Sequence, residues 1–175
     1  MTVPVNIGSD HIRGSINAPI IIVEYGDYEC PYTGMAYPII KEIMGKFGDQ
    51  VYFVFRNFPL QGIHPHAQHA AEAAEAAAAQ DKFWQMHDYL FEHQKALDDE
   101  HLLEYAQKVG LDTDKFEKEM AGHIYAPLID ESLKSGIESG VRGTPTFFIN
   151  GERYEDSWDL DTFSSFVKRS LPHPI

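Results

Sequence analysis

The chain of 175 residues contains one cysteine, Cys30, and its setting is that of a reactive thiol. It stands in Gly26-Asp27-Tyr28-Glu29-Cys30-Pro31-Tyr32-Thr33-Gly34, after an apolar run and at the start of a helical pattern. Pro31 suits the first helical turn, where its missing N–H would have no partner. A sulfur at that point faces the positive end of the helix dipole and unpaired backbone N–H groups, which favour the nucleophilic thiolate. Most lone cysteines are small buried hydrophobes, but placement at a strand end and helix start beside proline points to chemistry. A single cysteine closes no intramolecular disulfide and completes no cysteine-rich zinc site, so a partner sulfur must come from another molecule.

Other constellations are weaker. His64, His66 and His69 stand near Glu72, but Pro65 interrupts the spacing and no HExxH pattern occurs, so capping and surface roles are expected and no metal site. Asp98-Asp99-Glu100 and Asp112-Thr113-Asp114 read as helix-start charges. Phe83, Trp84, Tyr89 and Phe91 read as helix packing, whereas Tyr28, Tyr32 and Phe58 are expected to line an apolar groove. No glycine-rich phosphate loop and no Ser-His-Asp order is present.

The elements that must position Cys30 follow from local pattern. Ile20 to Tyr25, Val51 to Arg56 and Thr146 to Ile149 are short β-branched or aromatic runs that read as strands. Between the first two, Ala36, Ile39, Ile40, Ile43, Met44 and Phe47 recur at helical spacing from Pro31 to a stop at Gly48-Asp49, giving a βαβ unit. From His64 to about Gly140 the pattern is helical throughout. Ala67 to Ala79 includes nine alanines, and Leu128, Ile129, Leu133 and Ile137 are expected to form the apolar stripe of the last helix of the block. Asn150-Gly151 favours the tight turn of a hairpin running into Arg153-Tyr154, and a final helix is expected from about Leu160 to Leu171. The order is β-α-β, an all-helical block, then β-β-α, and the block reads as an insertion because the flanking strands need one another to make a sheet.

Composition narrows the function classes. Lys and Arg number 14 against 27 Asp and Glu, a formal charge of −13, so a nucleic-acid partner is not expected. No apolar run reaches the ~20 residues that span a bilayer; the longest candidate, Ala18 to Val23, is broken by Pro19 and ends at Glu24, and no membrane insertion is expected. The first residues carry no basic segment followed by an apolar one, so the default expectation is a cytoplasmic protein, with a periplasmic or other extracytoplasmic address if a signal has been removed.

Cys30-Pro31-Tyr32-Thr33 after an apolar strand, Asn57-Phe58-Pro59-Leu60 with His64-Pro65, Lys82 to Asp88, and Val141 to Gly151 together resemble the DsbA-like thiol:disulfide oxidoreductases of the thioredoxin superfamily, in order and over nearly the whole chain. The resemblance implies an α/β thioredoxin fold, a central mixed sheet flanked by helices, over residues 1–61 and 141–175, with an inserted all-helical subdomain over 62–140. It implies that Cys30 is the nucleophile, that Pro145 is a cis-proline, and that Pro31, Tyr32, Thr144 and Pro145 contact the substrate. Glu24 matches the superfamily's buried acid, whose pKa should be raised and which can move a proton during exchange. Thr33 departs from the pattern: the family usually places there the second cysteine that releases the substrate. Its hydroxyl is expected to donate a hydrogen bond to the Cys30 thiolate. Tyr32 is uncharged, and Asp27 and Glu29 are acidic neighbours, so modest oxidising power is expected.

Three accounts of Thr33 stay open: a monothiol enzyme, a binding protein without turnover, or an engineered trap. The first expects no bound cofactor, protein or small-molecule thiols and disulfides as partners, and glutathione as a candidate co-substrate. The second is a redox-inactive peptide- or partner-binding module. A kappa-like glutathione transferase, similar in architecture, ranks below both because that class carries serine where Cys30 stands. The oligomeric state is not legible.

Overall fold

The computed structural model describes residues 1–172. Strands β1 (His11–Gly14), β2 (Ile20–Gly26), β3 (Val51–Asn57), β4 (Thr146–Ile149) and β5 (Glu152–Tyr154) form one mixed sheet in the order β1-β3-β2-β4-β5. The β2–β3 pair is parallel and the other pairs are antiparallel. Helix α1 (Pro31–Phe47) makes the crossover from β2 to β3, as its apolar periodicity requires. Between β3 and β4 lie α2 (Ala67–Ala78), α3 (Phe83–Glu92), α4 (Asp99–Lys108), α5 (Thr113–Ala121) and α6 (Ala126–Glu138), and α7 (Leu160–Ser170) follows β5. The expected mixed sheet with flanking helices and an all-helical block is therefore the observed architecture.

Both faces of the central strands are buried, and their period of two sorts the side chains into two cores. Ile20, Ile22, Phe53, Phe55 and Phe147 pack with α1, the alanine face of α2, α3 and α7. Val23, Tyr25, Tyr52, Val54 and Phe148 pack on the opposite face with Phe58 and the half-buried Leu133 of α6. The alanines of α2 are almost wholly excluded from water, so small volume there lets neighbouring helices approach closely.

Three sequence expectations need correction. Strand β1 was not expected, because His-Ile-Arg-Gly offers no apolar alternation; it exists by pairing with β3 from Phe55 to Tyr52. In α6, Leu128 and Ile137 are exposed, and the buried positions are Ile129 and Gly136. A Cβ on Gly136 would lie 2.6 Å from the Phe58 ring, so the contact face is set by a residue that has no side chain. Tyr28 and Phe58 are core residues rather than groove lining, leaving Tyr32 alone of the three exposed. At the hairpin, Asn150 and Gly151 both take positive φ, 51° and 85°, as the tight turn demands.

Candidate functional site

The turn between β2 and α1 is built around one carboxylate. Asp27 is 1% exposed, and its side chain takes four hydrogen bonds. Oδ1 accepts the N–H groups of Glu29 (2.8 Å) and Cys30 (3.2 Å), while Oδ2 accepts Leu60 N–H (2.9 Å) and pairs with His64 Nδ1 (2.8 Å). Leu60 and His64 lie beyond β3, so this carboxylate ties the loop after β3 to the loop before Cys30. The sequence suggested only an acidic neighbour of the thiol; the structure makes Asp27 the organiser of its backbone. Gln94 supplies a second tie, donating from Nε2 to the carbonyls of Tyr28 and Cys30, each at 2.9 Å. Gly34 makes room for it, because a Cβ there would fall 1.9 Å from Gln94 Oε1.

Cys30 is the N-cap residue of α1, with Pro31 in the first turn as expected. Its carbonyl accepts Gly34 N–H at 3.0 Å, so the sulfur projects where the helix begins. The thiol is free and 3% exposed. Sγ donates to the carbonyl of Thr144 at 3.6 Å. The Thr144–Pro145 peptide bond is cis, as the resemblance implied, and Thr146 Oγ1 donates to Gly143 O at 2.7 Å. Thr144 Oγ1 is buried without a partner among the described residues.

The remaining site residues divide. Tyr32 and Pro31 lie on the exposed rim. Thr33 is fully buried, and its Oγ1 accepts Asp27 N–H at 3.5 Å. The expected bond from Thr33 to Cys30 is not made among the described residues, because the hydroxyl is turned toward the Asp27 backbone. Glu24 is 3% exposed and sits in register between Phe55 of β3 and Phe147 of β4. Burial pushes its carboxyl up to about 8, and Oε2 has no hydrogen-bond partner among the described residues. It borders a cavity of about 200 Å³ with Arg13, Tyr37, Lys41 and His87. Burial, with Arg13 and His11 nearby, holds His87 well below the ordinary histidine value. The Glu24 carboxyl is thus held protonated at neutral pH, as the resemblance implied, in a cavity that Ile40 and Met44 of α1 also line.

Of the histidine group, His64 belongs to the Asp27 cluster and the backbone N–H of His66 donates to Glu29 Oε1 at 2.9 Å. His69 and Glu72 instead meet His123. Sequence reasoning missed Asp27, His64 and Gln94 as organisers of the thiol loop. The local signal for Asp27 was an acidic side chain two residues before a backbone N–H it can accept, the Asx-turn spacing.

A family model described as thioredoxin matches residues 6–169. The chain belongs to the thioredoxin family. Among solved structures, this thioredoxin-family chain is similar to oxidised BdbD from Bacillus subtilis, at 23% identity and TM-score 0.85 with 97% of each chain covered. It is also similar to a thioredoxin-like oxidoreductase from Silicibacter pomeroyi DSS-3, at 25% identity and TM-score 0.81 over 93% of this chain and 92% of the other. In sequence, it is 45% identical over 167 residues to the Na(+)/H(+) antiporter NhaA 1 of Salinispora arenicola, a match that takes in 95% of this chain and 26% of that protein. The chain thus spans about a quarter of the length of the curated relatives it matches. No helix among the described residues is long and apolar enough to cross a membrane.

Proposed function

We propose that this chain carries out thiol–disulfide exchange through Cys30 alone. The observation that carries the reading is the sulfur at the N-cap of α1, 3.6 Å from the carbonyl beside the cis Thr144–Pro145 bond. In the first step the Cys30 thiolate attacks one sulfur of a disulfide R–S–S–R′; the Cys30–S–S–R bond forms, and R′S⁻ leaves and takes a proton from solvent. With Thr33 in place of a second thiol, an external thiolate completes the cycle. Glutathione fits: Cys30 captures the glutathionyl group from a mixed disulfide and frees the protein thiol. A second glutathione thiolate then attacks the captured glutathionyl sulfur, giving glutathione disulfide and regenerating Cys30 thiolate.

The N–H groups of the first turn of α1 stabilise the thiolate. Pro31 and Tyr32 form the rim that the partner meets, and Thr144-Pro145 aligns its backbone or sulfur. Glu24 is assigned the buried, protonated acid between the sheet and α1, able to give up and take back a proton during exchange. An exposure of 3% makes uncovering the sulfur the step that governs access. The general chemistry is supported by similarity to proteins such as the thiol-disulfide exchange protein α-DsbA2 from Wolbachia pipientis. An extracytoplasmic site of action is supported over a cytoplasmic one by a periplasmic thioredoxin-like protein from Salmonella enterica serovar Typhimurium.

The test is reduction of a glutathione mixed disulfide by excess glutathione. The wild-type chain is expected to catalyse it, Cys30→Ser to lose at least about 100-fold in rate, and mass spectrometry to find glutathione on Cys30. A wild-type rate no greater than that of free cysteine overturns the reading.

One observation favours a second reading. Similarity to a quarter of several Na(+)/H(+) antiporters suits a module that docks a transporter segment beside Pro145 without turnover. Docking of an antiporter polypeptide that survives Cys30→Ala unchanged, in a chain inactive in the glutathione assay, selects it.

A further inference from the structure

Away from Cys30, three chemistry-bearing side chains converge in the helical block. His69 and Glu72 are three positions apart on α2, hence on one face. The turn that follows α5 brings in His123, 51 positions from Glu72 in sequence. One nitrogen from each imidazole and one Glu72 oxygen lie within 4.8 Å of one another. The Glu72 side chain is 2% exposed, yet among the described residues it bonds neither lysine nor arginine. Oε1 faces His123 Nδ1 at 3.1 Å, and Oε2 accepts from Gln68 Nε2 at 3.2 Å. A carboxylate taken from water asks for a cation, and among the described residues the groups beside this one able to carry positive charge are histidines.

We propose that His69, Glu72 and His123 form a site for a divalent transition-metal ion of the zinc type. Two imidazoles and one carboxylate are a donor set that Zn²⁺ takes readily, and three protein ligands leave a position open. The fourth group supports the assignment: His69 Nδ1 lies 2.7 Å from Asp99 Oδ1, which leaves Nε2 as the nitrogen able to bind an ion. A carboxylate on the second nitrogen of a ligating imidazole is the arrangement that fixes its tautomer and raises its basicity. Zinc–nitrogen bonds of 2.0–2.1 Å in a tetrahedron put ligand atoms about 3.3 Å apart, so the ion draws the three side chains together. His123 is the one that moves, since its side chain is 56% exposed on a turn. The open position faces a cavity of about 490 Å³ lined in part by Leu102, Phe116 and Met120, where water or a small ligand completes the coordination. Sequence spacing brings His69 and Glu72 together but pairs them with His64 and His66, and the expectation of no metal site rested on that grouping; His123, 51 positions from Glu72, is supplied only by the fold.

The experiment is calorimetric titration of zinc chloride into tag-free, chelator-stripped full chain. One equivalent is expected to bind with a Kd of about 10 μM or tighter. His69→Ala and His123→Ala should each weaken binding at least about 10-fold, and Asp99→Asn by about 10-fold, as loss of an outer-shell partner does. Cys30→Ser should bind zinc like the wild type, which separates this site from the thiol chemistry. Circular dichroism checks each variant's fold, and His123→Ala, altered on an exposed turn, decides the matter if His69→Ala does not fold. No binding below about 1 mM, binding that persists in His123→Ala, or binding lost in Cys30→Ser each overturns the proposal.

Discussion

Glu24 and Asp27 stand three positions apart at the C-terminal end of β2, both almost wholly buried, and the fold treats their carboxyl groups in opposite ways. Asp27 meets four donors gathered from two loops. Glu24, between Phe55 and Phe147, has one oxygen with no partner among the described residues, and burial raises its pKa to about 8. The cost of burying a carboxyl is offset by hydrogen bonds in one case and by keeping the proton in the other. The first solution fixes backbone geometry around Cys30; the second creates a group sensitive to pH between the sheet and α1.

The largest effect expected from breaking that contrast is at Glu24. Its folded value of about 8 exceeds the 4.5 of the unfolded chain. The folded state therefore holds a proton that the unfolded state has lost, and stability falls as pH rises from 4.5 to 8. His87 in the same cavity is held below its ordinary 6.5, so there the unfolded state takes the proton first and stability falls as pH drops below 6.5. Below 6.5 the two slopes oppose one another, and that of Glu24 stands alone from 6.5 to 8, where it amounts to about 2 kcal/mol. Glu24→Gln removes it, so urea denaturation across the pH range should show the variant gaining about 5 kcal/mol on the wild type between acid and alkaline limits. A constant difference between the two proteins across that range would sink the account.

Next comes Asp27→Ala, which strips the acceptor from Glu29 N–H, Leu60 N–H and His64 while Cys30 N–H keeps the Asp27 carbonyl at 3.1 Å. Buried donors left unpaired cost about 1–3 kcal/mol each, so a loss of about 3 kcal/mol at pH 7 is expected by urea denaturation, with slower alkylation or exchange at Cys30. A variant as stable as wild type would show that the cluster is incidental.

The contrast also explains what was legible in the sequence. Helix α1, bounded by Pro31 and Phe47, and strand β4, Thr146 to Ile149, were readable because period and punctuation are local signals. The position of Cys30 at a helix start was readable for the same reason, and so was burial of Glu24 inside an apolar strand. Two of the four Asp27 donors lie 33 and 37 positions away and the Gln94 carbonyl partners 64 and 66. Contacts of that range leave no mark on a local pattern. Strand β1 owes its existence to β3, and the buried face of α6 to the absence of a side chain at Gly136, so neither had an apolar signature to find.

Smaller changes sharpen the comparison. His64→Phe removes one of the two partners of Asp27 Oδ2 and leaves Leu60 N–H in place. A loss of about 1.5 kcal/mol by urea denaturation is expected, roughly half that of Asp27→Ala. An equal loss would mean that the imidazole alone organises the loop.

The smallest effect on stability is expected at Gly34→Ala, and it separates rigidity of the thiol loop from stability of the fold. A new Cβ would fall 1.9 Å from Gln94 Oε1, so the flexible amide must swing away and give up its bonds to the carbonyls of Tyr28 and Cys30. Those two bonds contribute about 1 kcal/mol each, while alanine in place of glycine within a helix returns about 1 kcal/mol. The net loss in thermal unfolding should therefore lie within about 1 kcal/mol. The rate of Cys30 alkylation should change by more than that figure implies, because the released carbonyl belongs to the residue that carries the sulfur. Gln94→Ala breaks the same two bonds without the helix gain, so it should match Gly34→Ala in alkylation rate and fall below it in stability. Equal alkylation rates for wild type and both variants would show that Asp27 holds the loop without help from Gln94.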